Sequence, residues 1–247
     1  MIWHKKACEI QKLKAKVKAM ICVAGTVPFT TIDFPNHLAG VVFFQGCPLR
    51  CPFCHNPDLQ CVHEGRQTWE EVLGFFEKRK RRLDGVVLSG GEPLMQRDIE
   101  KIIADLKALG FKIAVHTAGV YPKVLQKVVA DIDWVGLDVK APWDKYPVLC
   151  GCGNMAPYVQ ESIRILNAAG IAYETRTTCD PRHLTKADIE KLTDDLSVLS
   201  VKTYAMQKYR TFDKDDNPPD DSAINAFFND AAWLEKIGAK FTTFLTR

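Results

Sequence analysis

The chain has 247 residues, a length that one α/β barrel domain can accommodate. Apolar residues make up 47% and charged residues 26% of it, which is close to the globular average and excludes a disordered chain or a low-complexity fibre. No stretch approaches the roughly 20 uninterrupted apolar residues that a membrane span requires. The composition therefore predicts a soluble globular protein that does not contact membranes.

Positive charge is concentrated in the first 20 residues, whose six lysines against Glu9 give +5 and leave −2 for the remainder of the chain. This arm is predicted to be a peripheral helix or a frayed tail. Residues 21–247 are expected to form one domain with its core at about 38–212. Because this domain is not basic, no direct contact with nucleic acid is expected.

Short apolar runs alternate with helical patterns along the domain. Strands are predicted at 40–45, 85–89, 112–117, 134–140, 172–178 and 198–206. Helices are predicted at 69–82, 97–109, 122–130, 158–169, 186–196 and 222–237, followed by a further apolar run at 240–245. Near-continuous apolar strands separated by helices favour a parallel sheet that is buried on both faces. Reactive groups should then gather where the carboxyl ends of the strands lead into loops.

Nine cysteines, in a chain without the apolar segment of a secretory signal, indicate a reducing, cytoplasmic location. Three of them, Cys47, Cys51 and Cys54, follow the first predicted strand within GCPLRCPFCHN. Three soft thiolates on one loop can hold three corners of an iron–sulfur cubane and leave the fourth iron open. A closed zinc site is the alternative, with His55, Cys61 or His63 as its fourth ligand.

The C-x3-C-x2-C spacing, with Phe53 before the third cysteine, resembles the radical S-adenosylmethionine (radical SAM) superfamily. The second predicted strand ends in SGGEP, which resembles the GGE motif of that superfamily. The longer segment TIDFPNHLAGVVFFQGCPLRCPFCHNPD is similar to the activating proteins of anaerobic ribonucleoside-triphosphate reductase, relatives of the pyruvate formate-lyase activating enzyme. The resemblance covers about residues 21–212 and implies a partial (β/α)6 TIM-like barrel of the radical SAM type.

The resemblance also implies roles for individual residues. The three cysteines would bind one [4Fe–4S] cluster, whose open iron chelates S-adenosylmethionine (SAM). The SAM contacts that it implies are Phe53 and His55 beside the adenine, Gly90, Gly91 and Glu92 near the methionyl ammonium, Thr117, Asp138 and Lys140 of the D-x-K motif, and Arg176 near the carboxylate. No catalytic side chain is assigned beyond the cluster and SAM.

Several of these positions have a second interpretation. Asp138 and Lys140 share one face of their strand, so they also fit an internal ion pair without a ligand. Asp33 either caps a turn or faces the incoming protein partner. His116 stands where the formate-lyase activators have an aspartate that helps to bind a monovalent cation, so only Thr117 is kept as a contact there. Cys150 and Cys152 match no second-cluster spacing and are expected to be unligated thiols.

The activity that the resemblance implies is the reductive cleavage of SAM, with an electron from flavodoxin or ferredoxin. The resulting radical would remove a hydrogen atom from a glycine of the partner, the anaerobic (class III) ribonucleoside-triphosphate reductase. Three alternatives stay open: activation of another glycyl-radical enzyme such as pyruvate formate-lyase, radical chemistry on a small molecule, and a non-catalytic zinc-binding protein.

Overall fold

The computed structural model describes residues 21–62, 64–211 and 217–247, so the helix or tail expected in residues 1–20 lies outside it. No helix in the described ranges has the length and apolar character to span a bilayer. The described residues form two compact units. The first unit comprises residues 21–48, 56–117 and 130–134, and the second comprises 49–55, 118–129 and 135–247. The single domain expected over 21–247 stays a prediction.

The described residues of the first unit contain four strands and two α-helices. They are β1 (Val23–Thr30), β2 (Ala39–Phe44), α1 (Trp69–Glu77), β3 (Gly85–Gly90), α2 (Ile99–Ala108) and β4 (Lys112–Thr117). β1 is antiparallel to β2, whereas β2, β3 and β4 are parallel neighbours. The parallel strands are buried along most of their length, as their apolar sequences predict.

Helix α1 illustrates how the sequence sets an element of this unit. Thr68 caps it, because its hydroxyl accepts from the Glu71 amide while the Glu71 carboxylate accepts from the Thr68 amide. Trp69, Val72 and Phe76 form its buried face. The helix ends at Glu77, five residues before the predicted end at 82.

The second unit contains the remaining strands and helices. They are α3 (Pro122–Val128), β5 (Trp134–Asp138, whose first residue belongs to the first unit), α4 (Tyr146–Leu149), α5 (Ala156–Ala169), β6 (Ala172–Cys179), α6 (Lys186–Val198), β7 (Thr203–Lys208), α7 (Asp221–Asn225), α8 (Ala231–Gly238) and β8 (Thr243–Thr246). β6, β7 and β8 are parallel neighbours. β8 thus overlaps the apolar run at 240–245.

Predicted and observed element bounds differ in this unit. The strand expected over 134–140 ends at Asp138, so Lys140 lies in the loop that follows β5. The helix expected over 222–237 is interrupted, and Asp230 caps its second half by accepting from the Trp233 amide. The strand expected over 198–206 begins only at Thr203, because α6 extends to Val198 and Ser200 takes a left-handed conformation with φ 57°. In the first unit, β1 was not predicted.

An exposed groove of about 340 Å³ lies in the first unit. Pro28, Phe29 and Leu83 supply its apolar side chains, and Lys78, Arg79 and Arg82 supply its cationic ones. The Phe29 side chain is 55% exposed. Arg79 lies over the Phe75 ring, with its guanidinium carbon 3.6 Å from the ring centre.

Candidate active site

Glu92 is the central polar side chain of the candidate site in the first unit. It lies two residues after the end of β3 and is completely buried. Its Oε1 accepts a 2.7 Å hydrogen bond from the Thr117 hydroxyl at the end of β4 and a 3.1 Å bond from the Leu94 amide. A carboxylate buried this deeply needs such donors, because burial without them is costly. Glu92 and Thr117, both predicted site residues, are thus brought together.

Gly90 and Gly91 bring the loop after β3 against the loop that carries Cys47. The Gly91 amide donates to the Phe44 carbonyl at 2.9 Å, and the Glu92 amide donates to the Gly46 carbonyl at 2.8 Å. A Cβ on Gly90 would lie 2.3 Å from the Phe44 nitrogen, and one on Gly91 would lie 2.1 Å from the Gly46 oxygen. The close approach that requires glycine here is therefore between two protein segments.

His116 and Asp33 are neighbours in the first unit. The His116 ring donates through Nε2 to the Asp33 carbonyl at 2.7 Å, and it packs edge-on against Trp134. The Asp33 carboxylate accepts a short hydrogen bond from the Thr30 hydroxyl within the same turn. These contacts agree with the turn-capping interpretation of Asp33, and its contact with a partner stays a prediction.

In the second unit, the thiol of Cys51 lies in an electrostatic environment that favours its thiolate. Its pKa is lowered to about 7, chiefly by the Cys150 thiol and in part by the charge of Lys140, while burial acts in the opposite direction. Burial would lower the pKa of Lys140, but Asp138, Cys51 and Cys54 raise it above its ordinary value, so Lys140 is a cation. A fixed positive charge therefore faces two of the predicted ligands.

Asp138 connects two cations of the second unit. Its Oδ1 accepts from Arg176 Nε at 2.8 Å, and its Oδ2 accepts from Lys140 Nζ at 2.9 Å. Arg176 lies against the Gly136 backbone, where a Cβ would be 2.7 Å from its guanidinium carbon. The ion pair considered for Asp138 and Lys140 is thus present. Asp138 is nevertheless one-third exposed, with 33% of its side chain accessible.

Phe53 and His55 have different environments in the same unit. Phe53 is 4% exposed, with its ring centre 6.1 Å from that of His183. His55 is exposed, stacks on Tyr209 and donates from Nε2 to the Arg210 carbonyl at 2.9 Å. Burial lowers the pKa of His55, so the neutral ring predominates at pH 7. Their contacts with the adenine stay a prediction.

Sequence reasoning missed two residues of this unit. The Tyr146 hydroxyl is buried and accepts from the Lys140 amide at 3.0 Å. Cys150, expected to be an unligated thiol, accepts through its carbonyl a 2.8 Å hydrogen bond from the Arg50 amide, directly before Cys51. The only signal that could have found them is their position in the segment that directly follows the D-x-K motif.

The chemistry of the donors decides which group this site fits. In the described part of the chain, no three His, Cys, Asp or Glu side chains already surround one metal position. The predicted ligands are cysteine thiols. The Cys150 thiol and the Lys140 ammonium stabilise the thiolate of Cys51, and the thiolate is the form of cysteine that binds iron. The residues thus fit an iron–sulfur cluster by donor type. Of the fourth ligands considered for zinc, His55 bonds a carbonyl and His63 lies outside the described residues.

Comparisons with known proteins agree with this chemistry. The model of the Radical SAM superfamily matches residues 41–196. A protein of Methanocaldococcus jannaschii, assigned as a glycyl-radical enzyme activating enzyme, is 32% identical over 77% of this chain and 81% of its own. The pyruvate formate-lyase-activating enzyme of Clostridium pasteurianum is 37% identical over 50% of this chain and 54% of its own. The crystal structure of Streptococcus suis SuiB bound to S-adenosylmethionine has a TM-score of 0.62 at 15% identity, over 84% of this chain and 51% of SuiB.

The fold and the matched region thus define a radical SAM enzyme. Within that superfamily, the chain belongs to the glycyl-radical enzyme activating enzymes. The predicted fold class, an α/β fold of the radical SAM type with a partial barrel, is confirmed. The family implies a [4Fe–4S] cluster and SAM as cofactors. The alternative of a non-catalytic zinc-binding protein was wrong.

Proposed function

We propose that this protein, working in the cytoplasm, cleaves SAM reductively and generates a glycyl radical on anaerobic ribonucleoside-triphosphate reductase. The observation that carries the proposal is the family membership over residues 41–196. The choice of reductase rests on the resemblance of residues 31–58 to the activators of that enzyme. The electron would come from flavodoxin or ferredoxin.

Cys47, Cys51 and Cys54 would hold the [4Fe–4S] cluster. When bound, the cluster would supply the electron for the reductive cleavage of SAM, and SAM would supply the oxidising power for removing a hydrogen atom from the glycine of the partner. The protein contributes position and electrostatics. Lys140 holds a positive charge that supports the thiolate of Cys51 in a buried setting.

The charged network formed by Asp138 at the end of β5, Lys140 in the following loop and Arg176 on β6 supports a role in holding SAM. Arg176 and Lys140 are both bound to Asp138, so the network carries one net positive charge on a partly exposed face. Such a face can accept the carboxylate of SAM on its cations and a ribose hydroxyl on the Asp138 oxygens. In the first unit, the Glu92 carboxylate would accept hydrogen bonds from the methionyl ammonium. The Thr117 hydroxyl orients that carboxylate by donating to it.

A second candidate partner is pyruvate formate-lyase. It is favoured by the 37% identity to the Clostridium pasteurianum activating enzyme, although that match covers only 50% of this chain. Electron paramagnetic resonance separates the two candidates. Each partner is incubated anaerobically with the reconstituted protein, SAM and a reductant, and the glycyl doublet is recorded.

A doublet on the reductase that requires this protein is the expected result. A doublet on the formate-lyase alone would overturn the choice of partner but not the class of reaction. Cys51→Ala tests the chemistry itself, and we expect it to abolish SAM cleavage. Cys179→Ala is the matched control, because Cys179 is a completely buried cysteine outside the motif. Equal SAM cleavage by both variants would contradict the proposed cluster site.

A further inference from the structure

The exposed groove of the first unit lies at the end of the sheet opposite the candidate active site. Phe29 precedes Thr30, which pairs with Ala39 at the start of β2. Leu83 lies two residues before β3. Because β2 and β3 are parallel, the loops that carry the predicted site residues leave their other ends. The six residues of β2 separate these ends by about 17 Å. The groove is therefore not part of the candidate active site.

The groove presents positive charge that the described residues do not neutralise. Its cations are Lys78, Arg79 and Arg82. In the described part of the chain, none of the three forms an ion pair with a carboxylate. The neighbouring carboxylates have other partners, since Glu77 pairs with Lys80 at 3.7 Å. The Asp84 carboxylate accepts a 2.8 Å hydrogen bond from the Leu38 amide.

Uncovered apolar surface accompanies these cations. Pro28, Phe29 and Leu83 line the groove, and Phe29 is exposed. Leu38 is exposed as well, and it lies beside the groove because its carbonyl accepts from the amide of Asp84, the neighbour of Leu83. Grouped apolar side chains that remain uncovered are typical of surfaces that contact another protein.

We propose that the exposed groove docks an acidic segment of the protein partner, one that combines carboxylates with an apolar side chain. This inference rests on the proposed function, because that function requires a protein substrate. The carboxylates would bind the three cations, and the apolar side chain would cover Phe29. A small anion would leave Phe29 and Leu38 uncovered. Residues 1–20, with six lysines against Glu9, have the wrong charge to fill the groove.

A docking site at this distance contributes to partner affinity and not to the chemical step. The partner concentration that gives half-maximal glycyl radical formation should therefore depend on the groove, whereas the rate at saturating partner should not. Exposed charges are screened by salt, so the affinity should fall as the ionic strength rises. A purely structural role of the basic run, at the carboxyl end of α1, would give neither effect.

Arg82→Glu and Phe29→Ala test the inference, and Arg81→Glu is the matched control. Arg81 is the adjacent exposed cation, and it does not line the groove. Biolayer interferometry measures the Kd for anaerobic ribonucleoside-triphosphate reductase over a range of salt concentrations. We expect Kd to rise about tenfold in Arg82→Glu and in Phe29→Ala, and less than about threefold in Arg81→Glu. Only Arg82→Glu should also flatten the salt dependence.

Several outcomes would overturn the inference. Equal affinities of Arg82→Glu and Arg81→Glu would do so, as would an absence of binding by wild type. Binding of a single-stranded oligothymidine, or self-association, that is lost in Arg82→Glu while the affinity for the reductase is unchanged would assign the groove to nucleic acid or to a second copy instead. A wild-type protein that binds the reductase through the groove but generates no glycyl doublet on it would overturn the proposed function alone.

A carbodiimide cross-link identifies the docked segment directly. The reagent joins the Lys78 amine to a carboxylate of the partner as an amide, and it takes up the released water as the urea. We expect mass spectrometry to find Lys78 linked to a stretch of the reductase that is rich in aspartate and glutamate. Cross-links that involve only lysines outside the groove would refute the proposed docking site.

Discussion

Asp138→Asn removes the negative charge that lies between Arg176 and Lys140 while keeping the size of the side chain. The asparagine carbonyl can still accept from Arg176, but its amide group then points at the Lys140 ammonium, where two donors meet. Arg176, with 9% of its side chain exposed, loses its counter-charge inside the protein. Breaking one partner of a largely buried pair is destabilising for this reason.

The magnitude follows from the two bonds that change, at 2.8 and 2.9 Å. A hydrogen bond to a charged group contributes about 1.5–3 kcal/mol when it is shielded from water. Asp138 is 33% exposed, so water replaces part of the loss, and the asparagine keeps one of the two bonds. We therefore expect the free energy of unfolding to fall by about 2–3 kcal/mol.

Urea unfolding of the cluster-free protein under anaerobic conditions, followed by circular dichroism, measures this change. Asp144→Asn is the matched control, because Asp144 pairs with Lys191 at the same 2.9 Å but with side chains 65% and 50% exposed. Surface pairs of this kind contribute little, so its unfolding curve should overlap that of wild type. Equal losses in the two variants would refute the reasoning, because burial would then not decide the strength of the pair.

Two further predictions concern the first unit. Gly91→Ala places a Cβ 2.1 Å from the Gly46 oxygen and 2.8 Å from the Leu59 oxygen, so we expect a loss of more than about 3 kcal/mol or a failure to fold. Gly74→Ala in α1 is the control, because its added Cβ meets nothing within 4 Å and alanine favours the helix. It should raise the free energy of unfolding by up to about 1 kcal/mol. Similar melting temperatures for Gly91→Ala and Gly74→Ala would contradict the prediction. Thr117→Val removes the hydroxyl that donates to the buried Glu92 carboxylate, so the free energy of unfolding should fall by about 1.5–3 kcal/mol. Thr117→Ser keeps this donor, so the free energy of unfolding should fall by only about 0.8 kcal/mol, for the lost methyl group. Equal losses in urea unfolding for serine and valine would show that the hydrogen bond has no influence.

The sequence predicts the buried parallel strands well, because their apolar runs are the strongest local signal. β4 lies at the predicted residues Lys112–Thr117, and β3 ends one residue later than predicted. β1 was missed because Gly25 and Pro28 interrupt its pattern, and its pairing with β2 includes register shifts. Its partner in the sheet stabilises it, and no local propensity reports that partner.

The candidate site is predictable only in part for a related reason. Motifs indicate which residues matter, but hydrogen bonds between segments distant in the chain decide what each side chain contacts. Glu92 and Thr117 were both predicted, yet nothing local indicates that one binds the other. The backbone hydrogen bond between Arg50 and Cys150 likewise depends on how the segment after β5 folds back.

The exposed groove beside Phe29 has a practical consequence for handling the protein. Cations next to an uncovered aromatic ring attract polyanions and hydrophobic resins alike. Retention on a cation-exchange resin at low ionic strength is therefore expected, although the whole chain carries a net charge of only +3. A salt gradient on such a resin is thus a suitable purification step before cluster reconstitution.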